Sequence, residues 1–343
     1  LLQRTTLHEL HVRSENSVAS FSARTPSLAF GVLASTAAIG ALALFNRTNS
    51  KRAERRNTIG GNFVEIQGVK LHYLSRGKGP SLALLHGNGS MIQDWLISGL
   101  IDKLATTHRV IAFDRPGFGF SDRPRSSLWT PEAQAELLTG AFDQLGIERP
   151  VVVGHSFGTQ VAIAMAIDQP EKVSRLVLIG GYYYPTARAD VVLSSGPAIP
   201  VIGDLMRYTV SPPIGRLMEP GVNSKLFAPA EVTVEWKEQY PTDMALRPSQ
   251  IRAVAAEAAL MVPSAARLSR RYSELALPVT VIAGDGDRLI DPIRQSARLH
   301  EALPRSKLVM IPKAGHMVHH TASSEVQQAI EGRLQTPAPI AAT

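Results

Sequence analysis

From residue 62 onward, short apolar runs alternate with stretches of mixed character. SLALL (81–85), RVIAF (109–113), VVVGH (151–155), VSRLVLIG (173–180), PVTVIAG (278–284) and KLVMI (307–311) are each nearly continuous in apolar residues. Runs of that length, rich in Val, Ile and Leu, are the pattern of strands buried on both faces of a parallel sheet. NFVEIQGVKLHYLSRG instead alternates apolar and polar residues about Gln67-Gly68, which predicts a hairpin. Amphipathic helical stretches fall between the runs, at 131–145, 158–168, 292–303 and 323–334. Strand and helix in alternation predict an α/β, doubly wound sheet.

Two regions break this rhythm. Residues 184–275 hold no clear strand, six prolines between Pro197 and Pro229, and helical runs such as SQIRAVAAEAALMV. They predict a helical insertion that caps the sheet. At the front, SLAFGVLASTAAIGALALF (27–45) is 19 residues without a charge. As a helix it spans roughly 28 Å, near the ~30 Å of a bilayer core. The basic stretch that follows predicts a single-pass membrane anchor with the rest of the chain cytoplasmic and membrane lipid as a partner. A buried helix and a cleaved signal peptide, with Ala41-Leu42-Ala43 as its cleavage box, are the competing readings, and basic residues directly after the run disfavour export. The organisation expected is therefore a tail (1–26), a transmembrane helix (27–45), a basic juxtamembrane linker (46–61), a core (62–183 and 276–335) interrupted by a cap (184–275), and a second tail (336–343). The first methionine is Met91, so an N-terminus that is truncated, processed or translated from an unusual start is expected.

Charge narrows the partners. The net charge of +7 suggests a polyanion until it is located. Residues 1–56 carry eight Lys/Arg against three Glu, and the remainder holds 28 basic and 26 acidic residues. The globular part is nearly balanced, so nucleic acid is not an expected partner. Cysteine is absent, which excludes disulfides, a cysteine nucleophile and thiolate metal sites.

In such sheets ligands bind at the carboxyl ends of the strands. After 151–155 comes G-H-S-F-G. A strand that turns abruptly into a helix needs small residues two before and two after the turn residue, and Gly154 and Gly158 meet that need. Ser156 then stands above the sheet edge with the N–H of Phe157 at a helix N-terminus, where it can hold an oxyanion. Taken alone, the motif serves equally as a glycine-rich turn with an idle serine. After 81–85, H-G-N-G-S offers a second oxyanion N–H from Asn88, with His86 shaping the loop. After 278–284, D-G-D-R-L-I-D-P offers three acids. Asp285 reads as a turn residue and Asp291, before Pro292, as a helix N-cap. Asp287 is left to orient a base. After 307–311, P-K-A-G-H-M-V-H-H places His316 where a general base can reach Ser156. His319 and His320 read as surface or capping residues. The spacing of His316 and His319 lacks an acidic partner motif, so no metal is expected. The order Ser156, Asp287, His316, each after its own strand, favours the nucleophile over the idle turn.

HGNGS, DRPGFGFSDRP (114–124), GHSFG, GDGD and AGH together resemble the α/β-hydrolase fold family over residues 62–334. The resemblance is to its serine-nucleophile, esterase and haloperoxidase-like branch. It implies an eight-stranded, mostly parallel sheet with a helical cap, Ser156 as nucleophile, His316 as base, Asp287 as its partner, and no cofactor. It also implies that the D-x-x-G-x-G-x-S loop is structural, with Phe118 and Phe120 at the pocket edge. The expected function is hydrolysis of a carboxylic ester of an apolar or lipid-like small molecule through an acyl-enzyme. Acyl transfer to an alcohol or peroxide by the same residues, and a membrane-tethered ligand-binding protein without turnover, are the alternatives. Trp95, Tyr182, Tyr183 and Tyr184 are candidates for the pocket or the core.

Overall fold

The computed structural model describes residues 28–58, 60–188, 191 and 194–333, so both expected tails lie outside the described residues. The chain forms two compact units, residues 1–41 and 42–343.

The described part of the first unit is the start of helix α1 (Leu28–Arg56), exposed throughout residues 31–41. The segment 46–61, expected as a basic linker, is helical as far as Arg56, where α1 ends. The expected transmembrane helix is not met: among the described residues no helix is long and apolar enough to cross a membrane. Ser27 and the side chains of 28–30 lie outside the described residues.

The second unit is built on one eight-stranded sheet in the order β1-β2-β4-β3-β5-β6-β7-β8. β1 (Asn62–Ile66) and β2 (Val69–Arg76) form the predicted antiparallel hairpin. Gln67 and Gly68 both have positive φ, 51° and 76°, as a two-residue hairpin turn requires. β2 pairs antiparallel with β4 (Arg109–Phe113), and all later pairs are parallel. The remaining strands are β3 (Ser81–Leu85), β5 (Val151–His155), β6 (Arg175–Ile179), β7 (Val279–Gly284) and β8 (Ser306–Ile311).

The apolar runs are continuous because both faces are covered. Ala83 and Leu85 of β3 belong to one core cluster, Leu82 and Leu84 to the other. Helices α2 (Ile92–Ile97) and α3 (Leu100–Leu104) pack in the second cluster. α4 (Pro131–Gln144) and α5 (Phe157–Asp168) pack in the first. Thr130 starts α4 by accepting the Ala133 N–H, with Pro131 at the first helical position. α5 is buried from Phe157 to Ile167 on every side, which a helix tolerates only when it is apolar all round.

Between β6 and β7 the described residues form helices and no strand: α6 (Ile202–Tyr208), α7 (Ser211–Phe227), α8 (Val234–Gln239), α9 (Thr242–Ala245) and α10 (Pro248–Leu268). α10 lays Ala258, Met261, Ala265 and Leu268 into the first core. A buried ion pair ties it down as well. Arg115, after β4, donates to both oxygens of Glu257 at 2.5 and 3.0 Å, and both side chains are fully buried. Gln134 of α4 donates to the same carboxylate and accepts from Arg115. Arg115 also takes the His86 carbonyl. The expected structural role of the 114–124 loop is met here: Asp114 accepts from Ile92 N, Phe120 N and His72. Gly117 and Gly119 turn the loop at positive φ.

After β7 a short π-turn (Ile293–Ala297) leads into α11 (Arg298–Ala302), and α12 (Val318–Thr321) and α13 (Ser323–Ile330) follow β8. Glu257→Ala, which strands the Arg115 charge, is expected to lower stability by about 3–5 kcal/mol. The apolar pair Arg115→Met/Glu257→Leu should recover most of that loss, and urea midpoints of the two variants compare them directly.

Candidate active site

β5 ends at His155 and α5 begins at Phe157, so one residue must reverse the chain. Ser156 does so at φ 51° and ψ −118°, a conformation an L-residue holds only when its surroundings enforce it. The enforcement is close packing. A Cβ on Gly154 would stand 2.6 Å from the Gly158 carbonyl, and one on Gly158 would stand 2.4 Å from that of Leu85. Ser156 N–H donates to Ile179 O at 2.9 Å, pinning the turn to β6. The Phe157 N–H stands at the first turn of α5, while its ring is buried beneath the Arg115 guanidinium.

The loop after β3 lies beside this turn. His86 Nε2 accepts Arg115 N–H, and its Nδ1 donates to Gly87 O. Burial, aided by the charge of Arg115, pushes the ring down to about 4, so it is a neutral brace, as expected. Asn88 donates its side-chain amide to Val254 O of α10 and lines the cavity described below.

After β7, Asp287 is nearly buried. Its Oδ1 accepts the N–H groups of Leu289 and Ile290, and its Oδ2 lies 2.8 Å from His316 Nδ1. The acceptor-only carboxylate assigns the Nδ1 proton to His316 and leaves Nε2 free to accept. Asp285 accepts the Lys313 N–H, and Asp291 accepts those of Ile293 and Arg294 as the expected cap. The His316 loop is held by the cap, since Leu226 O accepts the N–H of both His316 and Met317.

These loops surround a cavity of about 350 Å³ bordered by Ser156, His316, Asn88 and Gly87. Cap residues supply its apolar walls, among them Leu226, Trp236, Leu246, Val254, Ala258 and Met261. No hydrogen bond joins Ser156 to His316 among the described residues; the two meet as neighbours on one wall.

Of the two uses expected for Trp95, Tyr182, Tyr183 and Tyr184, the core is the one met: all four are buried and none borders this cavity. Other expectations need correction. Phe118 packs edge-on against His86, and Phe120 lies over another surface hollow. The cavity aromatics are Trp236 and Tyr240, which stack at 4.1 Å, with Tyr240 donating to Gly89 O. The irregular, proline-rich pattern of residues 184–275 gave no sign of them.

His319 and His320 are not surface residues. His319 is fully buried and lies 2.9 Å from Asp94 Oδ1; His320 lies 2.6 Å from the same oxygen. Ser90 donates to the other oxygen. Burial alone would raise the Asp94 carboxyl, but His319 and His320 outweigh it and hold it well below the usual range. The adjacent His155, its ring centroid 4.4 Å from that of His319 and tilted by 54°, is pushed well down by burial and by the neighbouring imidazoles. The acid beside His319 is thus Asp94, 225 residues distant, and it joins His319 to His320 and not to His316. The three groups bring ligand atoms within 4.8 Å of one another. Two of the separations are hydrogen-bond lengths, closer than the about 3.3 Å between ligands of a tetrahedral ion with bonds of ~2.0 Å. Both Asp94 oxygens are engaged within the cluster, while His319 Nδ1 is buried without a hydrogen-bond partner.

A family model described as alpha/beta hydrolase fold matches residues 80–323. An uncharacterized protein of Mycobacterium tuberculosis is 30% identical over 288 residues, which are 81% of this chain and 82% of that protein. A 2-hydroxy-6-oxo-2,4-heptadienoate hydrolase of Pseudomonas putida is 28% identical over 262 residues, 75% of this chain and 90% of the relative. Among solved structures, a thermophilic esterase from Thermogutta terrifontis superposes with a TM-score of 0.63 at 25% identity, covering 79% of this chain and 97% of its own.

Asp94→Asn is expected to destabilise the fold at pH 7, because His319 and His320 lose a buried anion. A depressed carboxyl contributes stability above its unfolded value of about 4, and that contribution fades as pH falls through the folded value. The gap in urea midpoint between wild type and variant should thus be wide at pH 7 and shrink progressively as pH falls below about 4.

Proposed function

The chain belongs to the alpha/beta hydrolase fold family and is an enzyme, and from that premise we propose that it is a serine hydrolase cleaving the carboxylic ester of an apolar small molecule. Ser156 is the proposed nucleophile, His316 the general base and Asp287 its orienting partner. The observation that carries this reading is the 2.8 Å contact between His316 Nδ1 and Asp287 Oδ2, on the border of the cavity that Ser156 also borders.

Each group has a definite task. Two backbone N–H groups occupy Asp287 Oδ1, and Oδ2 holds the His316 ring by Nδ1, leaving Nε2 for the substrate. Nε2 takes the hydroxyl proton as Ser156 Oγ attacks the ester carbonyl. The N–H groups of Phe157 and Asn88 receive the negative charge that develops on the carbonyl oxygen. The protonated imidazole gives its proton to the leaving alcohol, an acyl-Ser156 remains, and water activated by His316 Nε2 releases the acid. The apolar cavity walls favour an apolar acyl group.

A second reading keeps the same three residues and changes the bond cleaved. The likeness to a 2-hydroxy-6-oxo-2,4-heptadienoate hydrolase favours a hydrolysable dienoate in place of an ester. Acyl transfer to an alcohol or peroxide differs only in the acceptor that replaces water.

Ser156→Ala should abolish labelling by a fluorophosphonate probe and lower kcat/KM for p-nitrophenyl esters by at least about 10³-fold. Asp287→Asn should lower kcat by up to ~10⁴-fold while leaving the fold intact. A series from acetate to palmitate identifies the acyl length. Undiminished labelling of Ser156→Ala would refute the nucleophile, and turnover of the dienoate without that of any ester would select the second reading.

A further inference from the structure

The cap shows solvent an unusual surface. Between Ile199 and Val222 its exposed residues include Val201 at 77%, Ile202 at 60% and Leu217 at 82%, together with Leu205, Ile214 and Met218. Contiguous exposed apolar side chains of this size mark an interaction surface. On α7 they are ordered. Ile214, Leu217, Met218 and Val222 follow helical spacing along one stripe, while Gly215, Glu219, Asn223 and Leu226 follow it along another that borders the active-site cavity. Val222 belongs to both: it is 47% exposed and lines the cavity. The apolar surface therefore reaches the rim of the cavity.

The charge beside this surface is basic. Residues 42–56 of α1 are fixed to the cap where α6 meets α7, with the Asn46 amide donating to Tyr208 O and Thr209 O and Glu54 paired to Arg247. This half of α1 exposes Arg47, Lys51, Arg52, Arg55 and Arg56, none paired with a carboxylate among the described residues. The acids nearby are engaged: Asp204 with Arg125 and Arg207, Asp243 with Arg216, and Glu219 with Thr242. Exposed apolar groups beside an unbalanced basic helix match the apolar edge and anionic headgroups of a lipid surface. A second copy fits less well, since a two-fold contact through this face would bring two such basic clusters together.

We propose that the outward face of α6 and α7, flanked by the basic half of α1, docks on an anionic membrane surface, so that the Val222 rim of the cavity opens toward lipid. Docking stands on the surface alone. Entry of substrate from the membrane rests in addition on the ester-hydrolase reading.

The test uses the full chain and vesicles of phosphatidylcholine with about one-third phosphatidylglycerol, compared by flotation with phosphatidylcholine alone. Wild type should float with the anionic vesicles, and high salt should weaken the association. Ile202→Asp/Leu217→Asp, at exposed positions away from the cavity lining, should lower apparent affinity at least ~10-fold. The double variant should keep the wild-type melting curve and turnover of a soluble short-chain ester, and lose turnover of a long-chain ester held in vesicles. Flotation of the double variant equal to wild type would overturn the proposal by assigning binding to another part of the chain. Absence of flotation in wild type, with self-association that the double variant abolishes, would overturn it in favour of a contact between copies. If no ester is turned over but the flotation difference persists, docking stands and the ester reading falls.

Discussion

The reversal of the chain at Ser156 is the constraint on which the rest of the molecule is built. A residue at φ 51° costs of order 1–3 kcal/mol and persists only where packing leaves no alternative. Gly158 abuts the Leu85 and His86 carbonyls so closely that no side chain fits between them. That contact sets how near α5 lies to the end of β3. The hydrogen bond from Ser156 N–H to Ile179 O then sets how near the turn lies to β6. With both distances fixed, the loops after β3, β5 and β6 open at one edge of the sheet. The compensation comes from α5, whose eleven buried residues from Phe157 to Ile167 remove apolar surface on every side.

Around that turn the interior is held by buried polar pairs, each with a carboxylate, that join distant elements. Arg115 and Glu257 bind the β4 loop to α10, Asp94 gathers His319 and His320 from α12, and Asp287 meets His316 across the β7 and β8 loops. Desolvation makes each a poor source of net stability. Their effect is on arrangement. A carboxylate that would be left unpaired in any other packing excludes those packings, so the cap has one seat on the sheet and His316 has one ring orientation. Asp287 differs from Asp94 in how its acceptors are used. Two backbone N–H groups fill one oxygen and leave the other to a single imidazole, whereas Asp94 serves two imidazoles and a hydroxyl.

What the sequence disclosed follows from the range of the interactions involved. The strands were legible because burial on both faces imposes continuous apolar runs, and the hairpin because Gln67-Gly68 is a local turn signal. Ser156, Asp287 and His316 were legible because each follows its own strand, so the parallel order alone brings them to one edge. Asp94 was not, since nothing near IQDW signals that its partner lies in MVHH. The cavity aromatics were hidden for the same reason: Trp236 sits in a short helix and Tyr240 just after it, without clear periodicity, and long-range contacts to Gly89 and His320 bring them to the site. The clustered tyrosines after β6 drew attention by composition, yet backbone pairing through Gln295 draws that segment into the core. At the front, apolar length suggested a span, while the helix that forms carries its apolar and basic parts in one element.

The cap joins these levels, because α7 meets the cavity and the surface with different stripes of one helix. Its inner stripe carries Glu219 and Asn223, its outer stripe Leu217 and Met218, and Leu226 at its end holds the His316 loop through two backbone hydrogen bonds. The end of α7 and the loop of the proposed base are therefore joined directly. The cavity of about 350 Å³ lies near the lower end of the range for small-molecule sites. A long apolar substrate would fill it and extend past Val222, where the outer stripe begins. On that geometry the same side chains that bound the cavity also decide what surface the rest of the substrate meets.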